Sequence, residues 1–127
     1  MRTPHADLSL DHIPKGADEE ALMMLSDILP TGFECGVPNG QVTPGSVVAI
    51  VGAGPIGLAA LLTAQFYSPV QIIMIDLDDN RLAIASKFGA TTTINSADGK
   101  AVKAVMKLTG NIGADTVIEA VGIPATF

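Results

Sequence analysis

One stretch, residues 46–76, constrains the fold more than any other part of the chain. It reads SVVAIVGAGPIGLAALLTAQFYSPVQIIMID: an apolar run, the pattern Gly52-x-Gly54-x-x-Gly57, a helical segment and a second apolar run that ends at Asp76. This order of strand, glycine turn, helix, strand and acid is typical of a dinucleotide-binding βαβ unit. It predicts a parallel sheet and a nucleotide site at the turn.

Each glycine of the pattern has a separate physical task. Gly52 allows the tight turn, Gly54 lets the backbone approach a pyrophosphate because it has no Cβ, and Gly57 lets the helix pack closely on the strand. The helix that begins at Pro55 offers free N–H groups and a partial positive charge to the phosphates. Asp76 can accept hydrogen bonds from ribose hydroxyls. The alternative is a glycine turn that only permits close packing.

The pattern of apolar runs extends this unit along the chain. Helical patterns separate four predicted strands, at residues 47–51, 70–75, 91–94 and 115–121. The alternation predicts an α/β fold, namely a Rossmann-like parallel sheet, incomplete at about four strands, with the order 3-2-1-4 and flanking helices. We expect Asp78 or Asp79 to cap the helix after the second strand, and Ser96 or Asp98 to cap the helix after the third.

The residues before the sheet give weaker signals. Residues 1–18 contain scattered Pro and Gly and are predicted to be irregular. His5 and His12 lie there without a nearby cysteine, so we interpret them as solvated rather than metal-binding. A helix is predicted near residues 27–37, because its proline is tolerated only in a first helical turn.

Composition excludes several classes of function. The formal net charge of −6 disfavours nucleic acid and anionic membrane as partners. The sequence has no apolar run of 18 residues, so no membrane span is expected. The first residues lack the apolar core of a signal peptide. Cys35 is the only cysteine, which rules out an internal disulfide and favours a cytoplasmic location.

The stretch SDILPTGFECGVPNGQVTPGSVVAIVGAGPIGLAA resembles the zinc-dependent, medium-chain alcohol dehydrogenase family, and the segments DLDDNR, FGA and IEAVG continue the pattern. The resemblance covers essentially the whole chain and aligns it with the middle of such an enzyme. It implies an NAD cofactor, hydride transfer between an alcohol and NAD, and zinc in the complete enzyme.

The resemblance also implies roles for residues on the catalytic side. Asp27 matches a protein ligand of the catalytic zinc, although it could instead cap the helix that starts beside it. Thr31 matches a residue that packs against the nicotinamide ring, and Ile56 matches an apolar residue beside that ring. Cys35, four residues after Thr31, is interpreted as a small buried apolar side chain.

On the adenosine side, the three glycines match the pyrophosphate turn, and Pro55 within that turn is expected to be a cofactor-binding residue as well. Asp76 matches the acid that binds the adenosine ribose, and its charge favours NAD over NADP because it would repel a 2′-phosphate. Arg81 matches a basic residue near the same ribose and adenine. Val121 matches an apolar contact in the adenine region.

The resemblance implies two domains. Residues 1–45 are interpreted as a partial catalytic-domain or hinge segment, and residues 46–127 as a truncated dinucleotide-binding domain. The family's other zinc ligands and its last two strands have no counterpart here, and one carboxylate cannot hold catalytic zinc, which needs about three protein ligands. We therefore expect an NAD-binding part of such an enzyme, inactive as this fragment.

Alternative interpretations stay open at this point. The chain could be a non-catalytic orphan nucleotide-binding or assembly module, or the coenzyme domain of a non-zinc quinone or enoyl reductase. Whether it is itself an enzyme is uncertain. Besides NAD(H), the expected partner is a second copy of the chain, because a bare strand edge at Asp115–Val121 would attract another strand.

Overall fold

A computed structural model describes residues 2–126. Its strands are β1 (Val47–Val51), β2 (Gln71–Asp76), β3 (Thr92–Asn95) and β4 (Thr116–Glu119). All neighbouring strands are parallel, and their order is β3-β2-β1-β4. The predicted fold class and the predicted strand order are therefore confirmed.

Helices precede and connect these strands. They are α1 (Ala6–Ser9), α2 (Glu19–Leu22, continued by a 3-10 turn over Met23–Leu25), α3 (Ile28–Pro30, continued by a π-helical segment over Thr31–Gly36), α4 (Pro55–Ala64, continued by a 3-10 turn over Gln65–Tyr67), α5 (Asp79–Lys87) and α6 (Ala101–Leu108), and a 3-10 turn over Pro124–Thr126 follows β4.

The two central strands are apolar at almost every position because both faces of the sheet are covered. On one face, Val48 and Ile50 of β1 pack in a cluster with residues of α4 and α5, including Leu61. On the other face, Ala49 and the β2 residues Ile73 and Ile75 pack with α6. Alternate residues of one strand thus contribute to two separate cores.

Helix α3 and its π-helical continuation pack against α4 through glycine. Gly32 and Gly36 are buried, and a Cβ atom at Gly32 would lie 2.7 Å from the Cβ of Ala59 and 2.8 Å from the backbone nitrogen of Ala60. The two helices therefore touch backbone to backbone, which no larger residue would allow. The helix predicted near residues 27–37 is present, with its last six residues wound as a π-helix.

Two local predictions are wrong. Residues 6–9 form one helical turn within a stretch predicted to be irregular. Neither Ser96 nor Asp98 caps α6, whose N-cap is Lys100, without a side-chain cap. Asp98 instead accepts a hydrogen bond from the Lys100 N–H at 2.9 Å and closes the turn before the helix. Asp78 caps α5 as expected, by accepting from the Asn80 N–H at 2.8 Å.

The N-terminal segment, residues 2–26, differs from the rest of the molecule in what it buries. Its large apolar side chains face outwards: Leu8 is 85% exposed and Met23 is 73% exposed. His5 and His12 are exposed as well, as predicted. No helix in the described part of the chain has the length and apolar character needed to cross a membrane.

Candidate functional site

The glycine turn lies where β1 ends, at the carboxyl edge of the sheet. Gly52 has a φ of +99°, a value that favours glycine, and its N–H donates to the carbonyl of Ile75 at 2.8 Å. A Cβ atom at Gly52 would lie only 2.8 Å from Cγ2 of Val121. The turn is therefore closed between the ends of β2 and β4.

The other two glycines of the pattern face different surroundings. A Cβ atom at Gly57 would overlap the carbonyl oxygen of Gly52, so this glycine is needed for helix α4 to pack on the turn. A Cβ atom at Gly54 would meet nothing within 4 Å. Gly54 is not required by packing within the described chain, which leaves its partly exposed backbone free to approach a ligand.

Helix α4 presents its N-terminus to this open space. Gly54 is the N-cap and Pro55 occupies the first turn, where its missing N–H costs nothing. The N–H groups of Ile56 and Gly57 have no acceptor within the helix by helix geometry, and no side chain of residues 2–126 caps them. Backbone donors and the helix dipole thus favour an anion here.

Asp76 connects the glycine turn to the end of β2 by hydrogen bonds. Its Oδ2 accepts from the Ala53 N–H at 2.7 Å, and its Oδ1 accepts from the Asp78 N–H at 2.9 Å. Burial acts to raise the pKa of Asp76, but these hydrogen bonds, another from Leu77 and the charge of Arg81 outweigh it and hold the pKa below its ordinary value. The carboxylate is therefore ionised at neutral pH.

A cleft of about 1040 Å³ opens beside the turn, and we call it the turn cleft. Gly52, Gly54, Asp76, Arg81 and Val121 all line it. These residues come from three strand ends and one helix, and the fold brings them to one edge of the sheet. This is the edge at which open parallel sheets bind ligands.

A second cleft of about 540 Å³ lies between the π-helical segment and β4, and we call it the helix cleft. Thr31, Cys35, Ile56, Glu119 and Val121 are among the residues that line it. Cys35 is exposed, so its interpretation as a buried apolar side chain is wrong. Val121 lines both clefts, so they adjoin. The two residues matched to the nicotinamide side, Thr31 and Ile56, thus share one cavity.

Asp27 lies at the start of α3, outside both clefts. Its Oδ1 accepts from the Thr31 hydroxyl at 2.7 Å, and it makes no side-chain hydrogen bond to the first helical N–H groups. Asp27 is the N-cap residue of α3 and its carbonyl accepts from the Thr31 N–H at 2.8 Å, but capping by its side chain, the alternative interpretation, is wrong. Among residues 2–126, no three His, Cys, Asp or Glu side chains gather to hold a metal ion. The described residues do not form a zinc site on their own.

Glu119 is a polar residue of the helix cleft whose role the sequence left undefined. Its Oε1 accepts from the Val121 N–H at 2.8 Å and from the Thr126 hydroxyl at 2.7 Å. The hydrogen bond from Thr126, together with those from Gly122 and Val121, outweighs desolvation and lowers the pKa of Glu119. The only signal in the sequence was an acid inside an apolar strand near its carboxyl end.

Comparison with known proteins gives consistent results. A family model described as zinc-binding dehydrogenase matches residues 55–127. An alcohol dehydrogenase from Cupriavidus necator is 44% identical over 124 residues, which are 98% of this chain and 34% of that protein. An NADP-dependent isopropanol dehydrogenase from Thermoanaerobacter brockii is 35% identical, over 92% of this chain and 33% of that protein.

A solved structure extends the likeness to the backbone. Zinc-dependent alcohol dehydrogenase 2 from Streptococcus pneumonia superposes with a TM-score of 0.93 at 59% sequence identity. The match covers 100% of this chain and 36% of that protein. The chain therefore spans about a third of the length of the relatives it matches.

Proposed function

Because this chain belongs to the zinc-binding dehydrogenase family, we propose that it forms the NAD(H)-binding part of a zinc-dependent alcohol dehydrogenase. In the complete enzyme, hydride would pass between an alcohol and the nicotinamide of NAD. The division of the chain at residue 45, into a hinge segment and a dinucleotide-binding region, is part of this proposal.

The open space over Gly54 is the observation that carries the proposal. The free N–H groups of Ile56 and Gly57 begin the helix next to that space. Asp76, which accepts from the Ala53 N–H beside Gly54, lines the same cleft. A pyrophosphate held at the helix N-terminus would leave the adenosine ribose near a carboxylate. The residues present therefore fit a dinucleotide, with Arg81 and Val121 on its adenosine side.

The preference for NAD rests on this chain's own residues, since one relative is named as NADP-dependent. Asp76 is ionised, and a 2′-phosphate on the ribose would bring a second negative charge against it. Arg81 lines the same cleft and would offset only part of that repulsion. We therefore propose NAD(H) over NADP(H).

Thr31 and Ile56 would contact the nicotinamide, because the helix cleft adjoins the turn cleft. When bound, NAD supplies the hydride acceptor, and these two side chains orient and cover the ring. Asp27 stays a prospective zinc ligand by resemblance alone. Since the described residues do not fit zinc, we assign this chain cofactor binding rather than the alcohol chemistry.

Self-association belongs to the same proposal. β4 is an edge strand of the described sheet, and its Val117 side chain is 64% exposed. An exposed apolar edge favours pairing with another chain, here a second copy. Sedimentation velocity at rising protein concentration tests this, and a monomer at every concentration would contradict it. The free, exposed thiol of Cys35 supports the proposed cytoplasmic location.

Calorimetric titration of the purified chain tests the cofactor proposal. We expect NADH to bind weakly, and at least about tenfold more tightly than NADPH, which corresponds to about 1.4 kcal/mol. Gly54→Ala should abolish binding without unfolding the chain, because its Cβ would occupy the space proposed for the pyrophosphate. No binding of NADH at millimolar concentration would reject the proposal.

An activity assay tests the assignment of chemistry. We expect no NAD-linked oxidation of alcohols by the purified chain when zinc is added, because Asp27 is a single ligand. Turnover clearly above that of a zinc-only blank would show that the chain is an enzyme in its own right. The cofactor proposal would survive that result, while the restriction to binding would not.

A further inference from the structure

The proposed cofactor contacts leave one ionised side chain without a role. Glu119 ends β4, and its carboxylate accepts hydrogen bonds from Val121, Gly122 and Thr126 at 2.7 to 3.1 Å. Three of these four bonds end on Oε1 and one on Oε2. A carboxylate engaged in this way is poorly placed to exchange protons with a substrate, so a structural device at the site is the better interpretation.

The bonds of Glu119 fix the residues that follow the strand, which we call the β4 loop (residues 120–126). Ala120 and Val121 line both clefts. Gly122 lines only the helix cleft, and Thr126 lines only the turn cleft. The β4 loop is therefore the wall that the two clefts share.

The β4 loop also abuts the glycine turn. A Cβ atom at Gly52 would lie 2.8 Å from Cγ2 of Val121 and 3.2 Å from the carbonyl oxygen of Ala120. Because the β4 loop lies this close to the glycine turn, a shift of the loop would change the space between the turn and the helix cleft. A ligand that spans both clefts would sense such a shift more than a ligand held at the turn alone.

We propose that Glu119 is a positioning residue of the dinucleotide site: by holding the β4 loop, it sets the additional affinity that a whole dinucleotide gains over its adenosine half. This role rests on the proposed function. It acts through the loop backbone, whereas Asp76 acts at the turn. Asp76 therefore acts within the adenosine half, whereas Glu119 acts on the wall that both halves share.

Glu119→Gln separates these halves. Glutamine keeps the size of the side chain but removes the charge and one acceptor oxygen, which weakens the hold on the loop. We expect the affinity for NADH to fall about tenfold, since hydrogen bonds to charged groups are the stronger ones. The affinity for ADP should fall only about threefold, because Val121 is the one residue of the β4 loop assigned to the adenosine side. Calorimetric titrations with NADH and with ADP give the ratio of the two affinities.

Asp115→Asn is the matched control. Asp115 lies at the opposite end of the same strand, outside both clefts, and its Oδ2 accepts from the Val47 N–H at 2.7 Å. This variant likewise neutralises a carboxylate that anchors backbone, and it should leave the ratio of NADH to ADP affinity unchanged. Thr126→Val removes one donor to Glu119 and should shift the ratio in the same direction, by about twofold.

Amide hydrogen exchange gives a readout without ligand. The N–H groups of Val121 and Gly122 should exchange faster in Glu119→Gln than in wild type, and at the wild-type rate in Asp115→Asn. If wild type fails to bind NADH, the proposed function is lost and this role with it. If wild type binds NADH and Glu119→Gln keeps the wild-type affinity ratio, only the positioning role is overturned. An equal fall in the ratio of NADH to ADP affinity in Asp115→Asn would also overturn the positioning role of Glu119.

Discussion

Residues 46–126 and the N-terminal segment differ in what holds their secondary structure together. In the sheet region, Ile50 and Leu61 are completely buried. In the N-terminal segment, Leu8 and Met23 are mostly exposed, and α2 is held by local hydrogen bonds from the Glu20 and Ala21 N–H groups to its N-cap residue. Burial therefore stabilises one region, and short-range capping shapes the other.

This difference bears on which substitutions the molecule tolerates. A change in the sheet region disturbs a core in which neighbouring elements depend on each other. A change in the N-terminal segment disturbs exposed side chains and short-range capping bonds. The comparison therefore orders the expected losses of stability, from the glycine turn to the exposed helix.

The largest loss is expected at the turn. In Gly57→Ala the added Cβ would overlap the carbonyl oxygen of Gly52, and backbone cannot move aside as a flexible side chain can. We expect the free energy of unfolding to fall by more than about 4 kcal/mol, measured by urea titration. Gly54→Ala, with open space around its Cβ, is the matched control and should lose less than about 1 kcal/mol.

A somewhat smaller loss is expected in the core under α4. Leu61→Ala leaves a cavity beside fully buried neighbours and should lower the free energy of unfolding by about 3 kcal/mol. Urea titration with an unchanged slope would attribute the loss to the folded state. A loss below about 1 kcal/mol would mean that the core readjusts freely, and the comparison between the two regions would break down.

Asp76 should make a smaller, pH-dependent contribution. Its pKa in the folded chain lies below the ordinary value of 3.8, so its stabilising effect is complete above about pH 5 and is lost as the pH falls through the folded pKa. Asp76→Asn should lose about 1 kcal/mol at neutral pH. As the pH is lowered, the free energy of unfolding of this variant should fall less steeply than that of wild type. An equal dependence on pH would contradict the stabilising role of the Asp76 carboxylate.

The smallest effect is expected in the N-terminal segment. Met23→Ala removes a side chain that is 73% exposed and should change the free energy of unfolding by less than about 0.5 kcal/mol. Thermal and urea unfolding both measure it. A loss comparable to that of Leu61→Ala would show that this methionine is buried in solution, against another copy of the chain, for example.

Much of the fold could be predicted because it depends on short-range patterns. Apolar runs, the glycine turn and the acids at helix starts specify strands, crossovers and strand order. Asp78 illustrates this, since its cap uses an N–H group only two residues away. The family resemblance, carried by the same turn and its flanking residues, was confirmed as well.

The features that could not be predicted depend on contacts between distant residues. The hydrogen bond from the Ala53 N–H to Asp76 joins residues 23 positions apart, and the local sequence around either residue does not predict it. Gly32 lies in the π-helical segment and contacts α4 backbone to backbone, a contact between helices that pattern analysis does not contain. The bonds of Glu119 reach up to seven residues along a loop without regular periodicity. The assigned cofactor and zinc roles stay predictions until ligands are measured.

One hydrogen bond has a consequence for the order of events during folding. The Thr116 hydroxyl donates to the carbonyl of Gly40 at 2.7 Å, across 76 positions of sequence. Because synthesis proceeds from the N-terminus, Thr31 and Ile56 leave the ribosome well before β4 does. Contacts so remote in sequence form slowly. We therefore expect both clefts to form in one step, so that a nascent chain acquires its ligand-binding surface only when β4 docks.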